Sequence, residues 1–252
     1  MVRGMDIFRN HFRSVNDQFV LIGGAACDLL FEEAGLSFRA TRDLDIVLCI
    51  EVLDSSFVSV FWEFIHSGKY EIKEKSTGQK KFYRFSKPQN EDYPYMLELF
   101  SRLQGGLELP EGTHLTRLSI DQASASLSAI LMDSPYYDFL HSGKMIMNGI
   151  PIVMAEYLVP LKARAWLDLS DRRNDGERID SRKIRKHKND VFRLYRIIQP
   201  AFEMTVPDEV RNDMSRFIDS MKEAIIDLNN LEVSGITVNE ILEELKGKYV
   251  DR

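Results

Sequence analysis

The chain of 252 residues is long enough for one large domain or two modest ones, and a folded chain of this size buries roughly 70–75% of its unfolded surface without needing a disulfide or metal to hold it. With 44% hydrophobic and 29% charged residues, 14 Gly and 8 Pro, the composition excludes a collagen-like, low-complexity or intrinsically disordered chain. Lys and Arg number 33 against 39 Asp and Glu, a net charge of −6, which opposes non-specific coating of long duplexes, where phosphate contacts dominate.

In chain order, the pattern predicts an amphipathic helix over about 4–16, then a buried strand, Phe19-Val20-Leu21-Ile22, ended by Gly23-Gly24. A helix over 25–34 stops at Gly35, and 44–50 is a second apolar strand. Asp54-Ser55 opens a helix that runs to about Ser67, with Gly68 as its stop signal. Residues 70–75 and 81–86 alternate like the arms of a hairpin around Ser76-Thr77-Gly78, and 95–100 is a further strand. Short strands are expected near 117–120 and over 144–153, separated by a short helix near 136–141.

From about residue 154 helical periodicity takes over, with helices over about 155–169, 179–198, 207–229 and 237–247. Strands mixed with helices and then a helical block describe an α+β chain, a mixed-sheet domain over 1–153 followed by a helical C-terminal domain over 154–252. The apolar runs 44–50 and 57–65 fall short of the ~20 residues that span a bilayer, and Asp6, Arg9, His11 and Arg13 interrupt any signal-peptide core. Cys27 and Cys49 sit in apolar runs and read as small core residues of a reduced, cytoplasmic protein with no membrane partner.

The chemistry gathers around Gly23-Gly24 and the segment 39–47. A strand running through two glycines into a helix lets backbone N–H groups approach a phosphate, and the helix N-terminus adds a favourable field. A tight turn that merely prefers glycine explains the same pair. Asp43 and Asp45 stand one residue apart among Leu44, Ile46 and Val47, so both carboxylates leave the strand on the same side. Like charges held so close repel. A shared Mg²⁺ or Mn²⁺ relieves this, whereas at an exposed edge both acids are simply solvated. Two-metal phosphoryl chemistry asks for a third carboxylate, and Glu98, a lone acid in Tyr95-Met96-Leu97-Glu98-Leu99-Phe100, is the candidate, with edge-strand solvation as its alternative.

Two helical positions join them. On a helical wheel Lys162 falls inside the apolar arc of Leu158, Leu161, Ala165, Trp166 and Leu169, where a lysine must snorkel or meet an anion such as a nucleotide phosphate. Further on, Ile184, Val191, Leu194, Tyr195 and Ile198 form an apolar stripe that contains His187, read as a core histidine, and is bordered by Asp190, which either orients Lys162 or a ribose or is a surface acid. Between residues 172 and 188, Arg172, Arg173, Arg178, Arg182, Lys183, Arg185, Lys186 and Lys188 face only Asp175, Glu177 and Asp180, a run that is either a solvated helix face or an RNA-binding surface.

Gly23-Gly24 followed by Thr41-x-Asp43-x-Asp45 resembles the signature of DNA polymerase β-like nucleotidyltransferases. The form Arg39-x-Thr41-x-Asp43-Leu44-Asp45-Ile46 resembles the AbiEii/AbiGii toxin branch. Glu156-Tyr157-Leu158-Val159-Pro160-Leu161-Lys162 is similar to that branch's lysine-bearing helix, and Lys186-His187-Lys188-Asn189-Asp190-Val191 to its last motif. The resemblance extends from residue 19 to about 198. It implies nucleotide transfer from an NTP, with Mg²⁺ (or Mn²⁺) on Asp43, Asp45 and Glu98, and with Gly23, Gly24, Thr41, Lys162 and Asp190 on the nucleotide. It also implies a tRNA-like RNA acceptor and a cognate antitoxin protein in a type IV toxin–antitoxin or phage-defence system. Two other readings of the same motifs stay open: a catalytically silent nucleotide-binding or interaction module, and an antibiotic-type nucleotidyltransferase acting on a small molecule.

Overall fold

The computed structural model describes residues 2–49, 51–77, 80–101, 116–117, 130 and 134–251. The chain divides into two compact units, Met1–Ile120 with Lys144–Met154, and Asp121–Gly143 with Ala155–Arg252. The fold class is the α+β arrangement read from the sequence.

The first unit is built on a mixed sheet. Its strands are β1 (Phe19–Ile22), β2 (Asp43–Leu48), β3 (Glu71–Thr77), β4 (Lys80–Ser86), β5 (Met96–Ser101), β6 (Thr116–Arg117), β7 (Lys144–Met147) and β8 (Ile150–Val153). Among the described residues they are ordered β6-β3-β4-β5-β2-β1-β8-β7. β2 runs antiparallel to β1 and parallel to β5, and β8 runs parallel to β1. Residues 118–120 of the expected strand near 117–120 lie outside the described residues.

Strand alternation gives the central strands two different faces. Phe19 and Phe85 face a layer of aromatic rings supplied by helix α1 (Met5–Phe12) and helix α3 (Ser55–Gly68), where Phe8, Phe12, Phe57, Phe61 and Phe64 pack edge-on and stacked. Leu44 and Leu97 are in register with one another and Leu97 with Phe85, so they share that side. α1 is shorter than its periodicity suggests because its last turn tightens into a 3₁₀ turn at Arg13–Val15. Asp54 caps α3 by accepting the Ser56 and Phe57 amides at 2.8 and 3.3 Å, and Gln18 holds it from the side at 3.1 Å.

Helix α2 (Gly23–Glu33) begins two residues earlier than composition suggests, so Gly23 and Gly24 form its first turn instead of a loop before it. Gly23 makes this possible with φ +68°, a left-handed conformation that glycine adopts without steric penalty.

The second unit is helical: α4 (Ser134–Ser142), α5 (Ala155–Asn174), α6 (Ser181–Tyr195), α7 (Asp208–Lys222) and α8 (Val238–Tyr249). α5 packs along α6 and α7, and α8 packs on α7. Asp180 caps α6, and a Thr237–Glu240 capping box opens α8. Buried polar groups tie the helices together. The Tyr136 hydroxyl donates to Asp213 at 2.9 Å and Arg164 pairs with the same carboxylate at 3.0 Å, while burial first and the Asp213 charge second push the Tyr136 hydroxyl well above its ordinary range. The turn after α6 is held from both sides: Glu156 accepts the Gln199 amide at 2.8 Å, and Lys248 donates to the Gln199 and Phe202 carbonyls at 2.7 and 2.9 Å.

Candidate functional site

The sheet register brings the residues of the first motif together. Asp45 lies across from Ile22 of β1 on one side and Glu98 of β5 on the other. Glu98 in turn lies across from Arg84 of β4. Residues opposite one another in neighbouring strands share a face, so Arg84, Glu98 and Asp45 form a row across three strands, opposite to the aromatic layer, and Asp43 joins them two residues before Asp45. Asp43 and Asp45 are half-buried and Glu98 is buried.

The glycines sit under this row. An ideal Cβ on Gly23 would lie 1.8 Å from Asp45 Oδ2, and one on Gly24 would lie 2.4 Å from Thr41 Oγ1. The two small residues therefore have a concrete reason: the Asp45 carboxylate and the Thr41 hydroxyl occupy the volume that side chains there would need. Ile22, the residue before α2, offers no side-chain cap. First-turn amides at a helix N-terminus favour an anion, and here they lie beside the Asp45 carboxylate.

Arg84 joins this row although sequence reasoning alone does not single it out. Its Nε donates to Glu98 Oε1 at 2.8 Å and its side chain is 12% exposed. The signal was present in Tyr83-Arg84-Phe85, a single charge between aromatics in a strand, the same pattern that marks Glu98. Among the described residues no group of three or more His, Cys, Asp or Glu side chains is placed to hold a metal ion. The pair Asp43 and Asp45 suits Mg²⁺ all the same, because that ion is usually bound through one or two carboxylates and completes its shell with water and substrate phosphate oxygens.

In the second unit the structure joins the other two sequence candidates. Lys162 Nζ of α5 lies 3.6 Å from Asp190 Oδ2 of α6, with side-chain exposures of 6% and 0%. Asp190 is thus a core residue and not a bordering one, and Arg193 reaches its other oxygen at 3.5 Å. His187 is buried, as a core histidine would be. The basic run does not form one continuous helix face. It spans the end of α5, a loop and the start of α6, and part of it is engaged locally: Arg172 pairs with Glu177 at 2.8 Å and with Asp168 at 3.5 Å, and Arg182 with Asp180 at 3.2 Å. Arg173, Arg178, Arg185 and Lys186 are exposed.

No protein-family model matches this sequence, and no curated protein does. Among the solved structures similar to the chain are two. One is an antigenic nucleotidyltransferase-like protein from Paracoccidioides brasiliensis, with a TM-score of 0.45, 16% identity, and coverage of 97% of this chain and 91% of that one. The other is the Cid1 poly(U) polymerase, crystallised as a mutant bound to MgATP, with a TM-score of 0.28, 11% identity, and coverage of 88% and 48%.

Proposed function

We propose that this chain is a metal-dependent nucleotidyltransferase that moves a nucleotide from an NTP to an acceptor, with residues 1–153 as the catalytic domain and 154–252 as a helical domain. One observation carries the proposal: Asp43 and Asp45 project from one face of β2, with the Asp45 carboxylate packed on Gly23 at the N-terminus of α2 and Glu98 in register beside it. A stability-driven sequence gains nothing by placing three acids on adjacent positions of a central sheet. A site for a cation and a polyphosphate gains its electrostatics from that placement.

In this reading Asp43 and Asp45 hold Mg²⁺ (or Mn²⁺), with Glu98 as the third carboxylate. When bound, the ion supplies Lewis-acid stabilisation of phosphoryl oxygens and of the leaving pyrophosphate. The chain's own part is positional. The Gly23 and Gly24 amides bind phosphate oxygens, and Thr41 packs on Gly24 to shape that turn. Arg84 fixes the Glu98 carboxylate and offsets one negative charge, which makes three acids tolerable on one face. Lys162, paired with Asp190 at 3.6 Å, binds nucleotide phosphate.

The acceptor we propose is RNA of the tRNA type, supported by the exposed cations of the run 172–188, and the resemblance of four motifs to AbiEii/AbiGii toxins supports a toxin role with a cognate antitoxin. The test is incubation with each α-labelled NTP and Mg²⁺, first with total cellular RNA and then with total protein. Label appearing in RNA and dependent on Mg²⁺ is the expected result. Label appearing in no acceptor with any NTP contradicts the reading.

A further inference from the structure

The first unit carries a concave site that the proposed transfer reaction does not use. A cavity of about 400 Å³ is lined by Arg9, Asn10, Arg13, Asn16, Asn148 and Gly149. The register places it away from the carboxylates. Leu21 pairs with Ile152 in the parallel β1–β8 ladder, so Gly149 is level with the start of β1, whereas Gly23 follows its end. Five residues of strand separate the two levels, roughly 16 Å.

The walls are built from two kinds of local structure. Arg9, Asn10, Arg13 and Asn16 come from the last turn of α1 and the 3₁₀ turn after it. Asn148 and Gly149 are the two-residue turn between β7 and β8, with φ +49° and +77°, the left-handed pair of a hairpin turn that Asn-Gly suits. The Arg9 stem lies over Gly149, with Arg9 Cδ 3.7 Å from the position of an ideal Cβ there. The Arg9 side chain as a whole is 29% exposed.

The donors outnumber the acceptors. Among the described residues no carboxylate lines the cavity. Asp6, one turn earlier on α1, takes Arg9 Nη1 at 3.0 Å and is mostly exposed. Arg9 Nε is buried and has no hydrogen-bond acceptor among the described residues, a state that costs free energy unless a ligand supplies one. Two guanidiniums and three carboxamides converging on one space match a phosphate group, whose oxygens accept from several sides at once. At about 400 Å³ the space exceeds a bare ion and falls in the range of small-ligand sites.

We propose that this cavity binds a phosphate group, either as the free anion or as a phosphomonoester of nucleotide size, independently of the carboxylate site. Isothermal titration of the full chain in metal-free buffer, with inorganic phosphate and separately with AMP, tests it. Binding of at least one probe is expected, weakening about tenfold or more in Arg9→Gln/Arg13→Gln, since a hydrogen bond to a charged group commonly accounts for a factor of that size. Asn10→Asp, a change at an exposed position, places a negative charge at the rim and is expected to weaken binding without altering the melting temperature, which keeps the test open if the arginine pair variant folds poorly. Equal affinity for the two probes identifies the free anion, and tighter AMP binding identifies the phosphomonoester. No binding of either probe to the wild type, or unchanged affinity in both variants, overturns the proposal.

Discussion

The Asp45 carboxylate occupies the space that a side chain on Gly23 would need, with 1.8 Å between Oδ2 and an ideal Cβ at that glycine. Gly23 also holds φ +68°, which costs a non-glycine residue roughly 1–2 kcal/mol. Gly23→Ala is therefore expected to lower stability by at least that amount and to displace Asp45, reducing Mg²⁺-dependent NTP binding. Thermal melting with and without Mg²⁺ and NTP reads both effects. A variant that melts and binds like the wild type would show that the close approach has no consequence.

The Lys162–Asp190 pair gives a second prediction, in the helical unit. Removing one partner of a buried pair commonly costs about 3–5 kcal/mol, whereas replacing both by apolar groups is often close to neutral. Lys162→Met is expected to destabilise toward the low end of that range, because Arg193 still reaches Asp190 at 3.5 Å. Lys162→Met with Asp190→Leu is expected to recover much of the loss. If Lys162 also binds phosphate, both variants bind NTP more weakly than wild type even where the double variant is as stable. Wild-type NTP affinity in the double variant would confine Lys162 to a structural role.

Stability at low pH follows from the cap of α3. The Ser56 hydroxyl first and the Gln18 side chain second hold the Asp54 carboxyl below its ordinary value of 3.8. A carboxyl with a depressed folded-state pKa contributes stability above its unfolded pKa and loses it as pH falls through the folded one. Asp54→Ala is expected to melt below wild type at neutral pH, with the gap narrowing as pH drops below the ordinary aspartate range. A gap that stays constant down to pH 2 would mean that the charge plays no part in the cap.

Much of the first unit was legible because its signals are local. Alternation in 70–75 and 81–86 gave the β3–β4 hairpin, and the spacing of Asp43 and Asp45 gave their shared side. The pairing of Asp45 with Glu98 was less accessible, since register between β2 and β5 depends on strands about fifty residues apart in sequence. Arg84 escapes sequence reasoning for the same reason: its partner is fixed by the β4–β5 ladder and not by its neighbours in sequence. A helical wheel places Asp190 at the border of a stripe because it describes one helix, and the complete burial of Asp190 depends on how α5 covers α6.

The cations at the start of α6 give a prediction about the acceptor. Phosphate contacts position an RNA without specifying its sequence, and each single-strand contact contributes about −0.7 to the log–log slope of affinity against salt. Arg182→Gln, Lys183→Gln and Arg185→Gln together are expected to flatten that slope and to weaken all RNA sequences alike, with NTP binding retained. Unchanged RNA affinity at low salt would make the run a solvated surface.

The central claim is that Asp43 and Asp45 hold the cation on which nucleotide transfer depends. Replacing either by Asn removes a metal-ligating charge and also relieves like-charge repulsion in the ion-free protein. The decisive measurement is label transfer from NTP to total RNA as a function of Mg²⁺ concentration, for wild type, Asp43→Asn and Asp45→Asn, with a melting curve on each sample. The account predicts that both variants melt at or above the wild-type temperature while transfer is lost at every Mg²⁺ concentration. Undiminished transfer in both folded variants would contradict it.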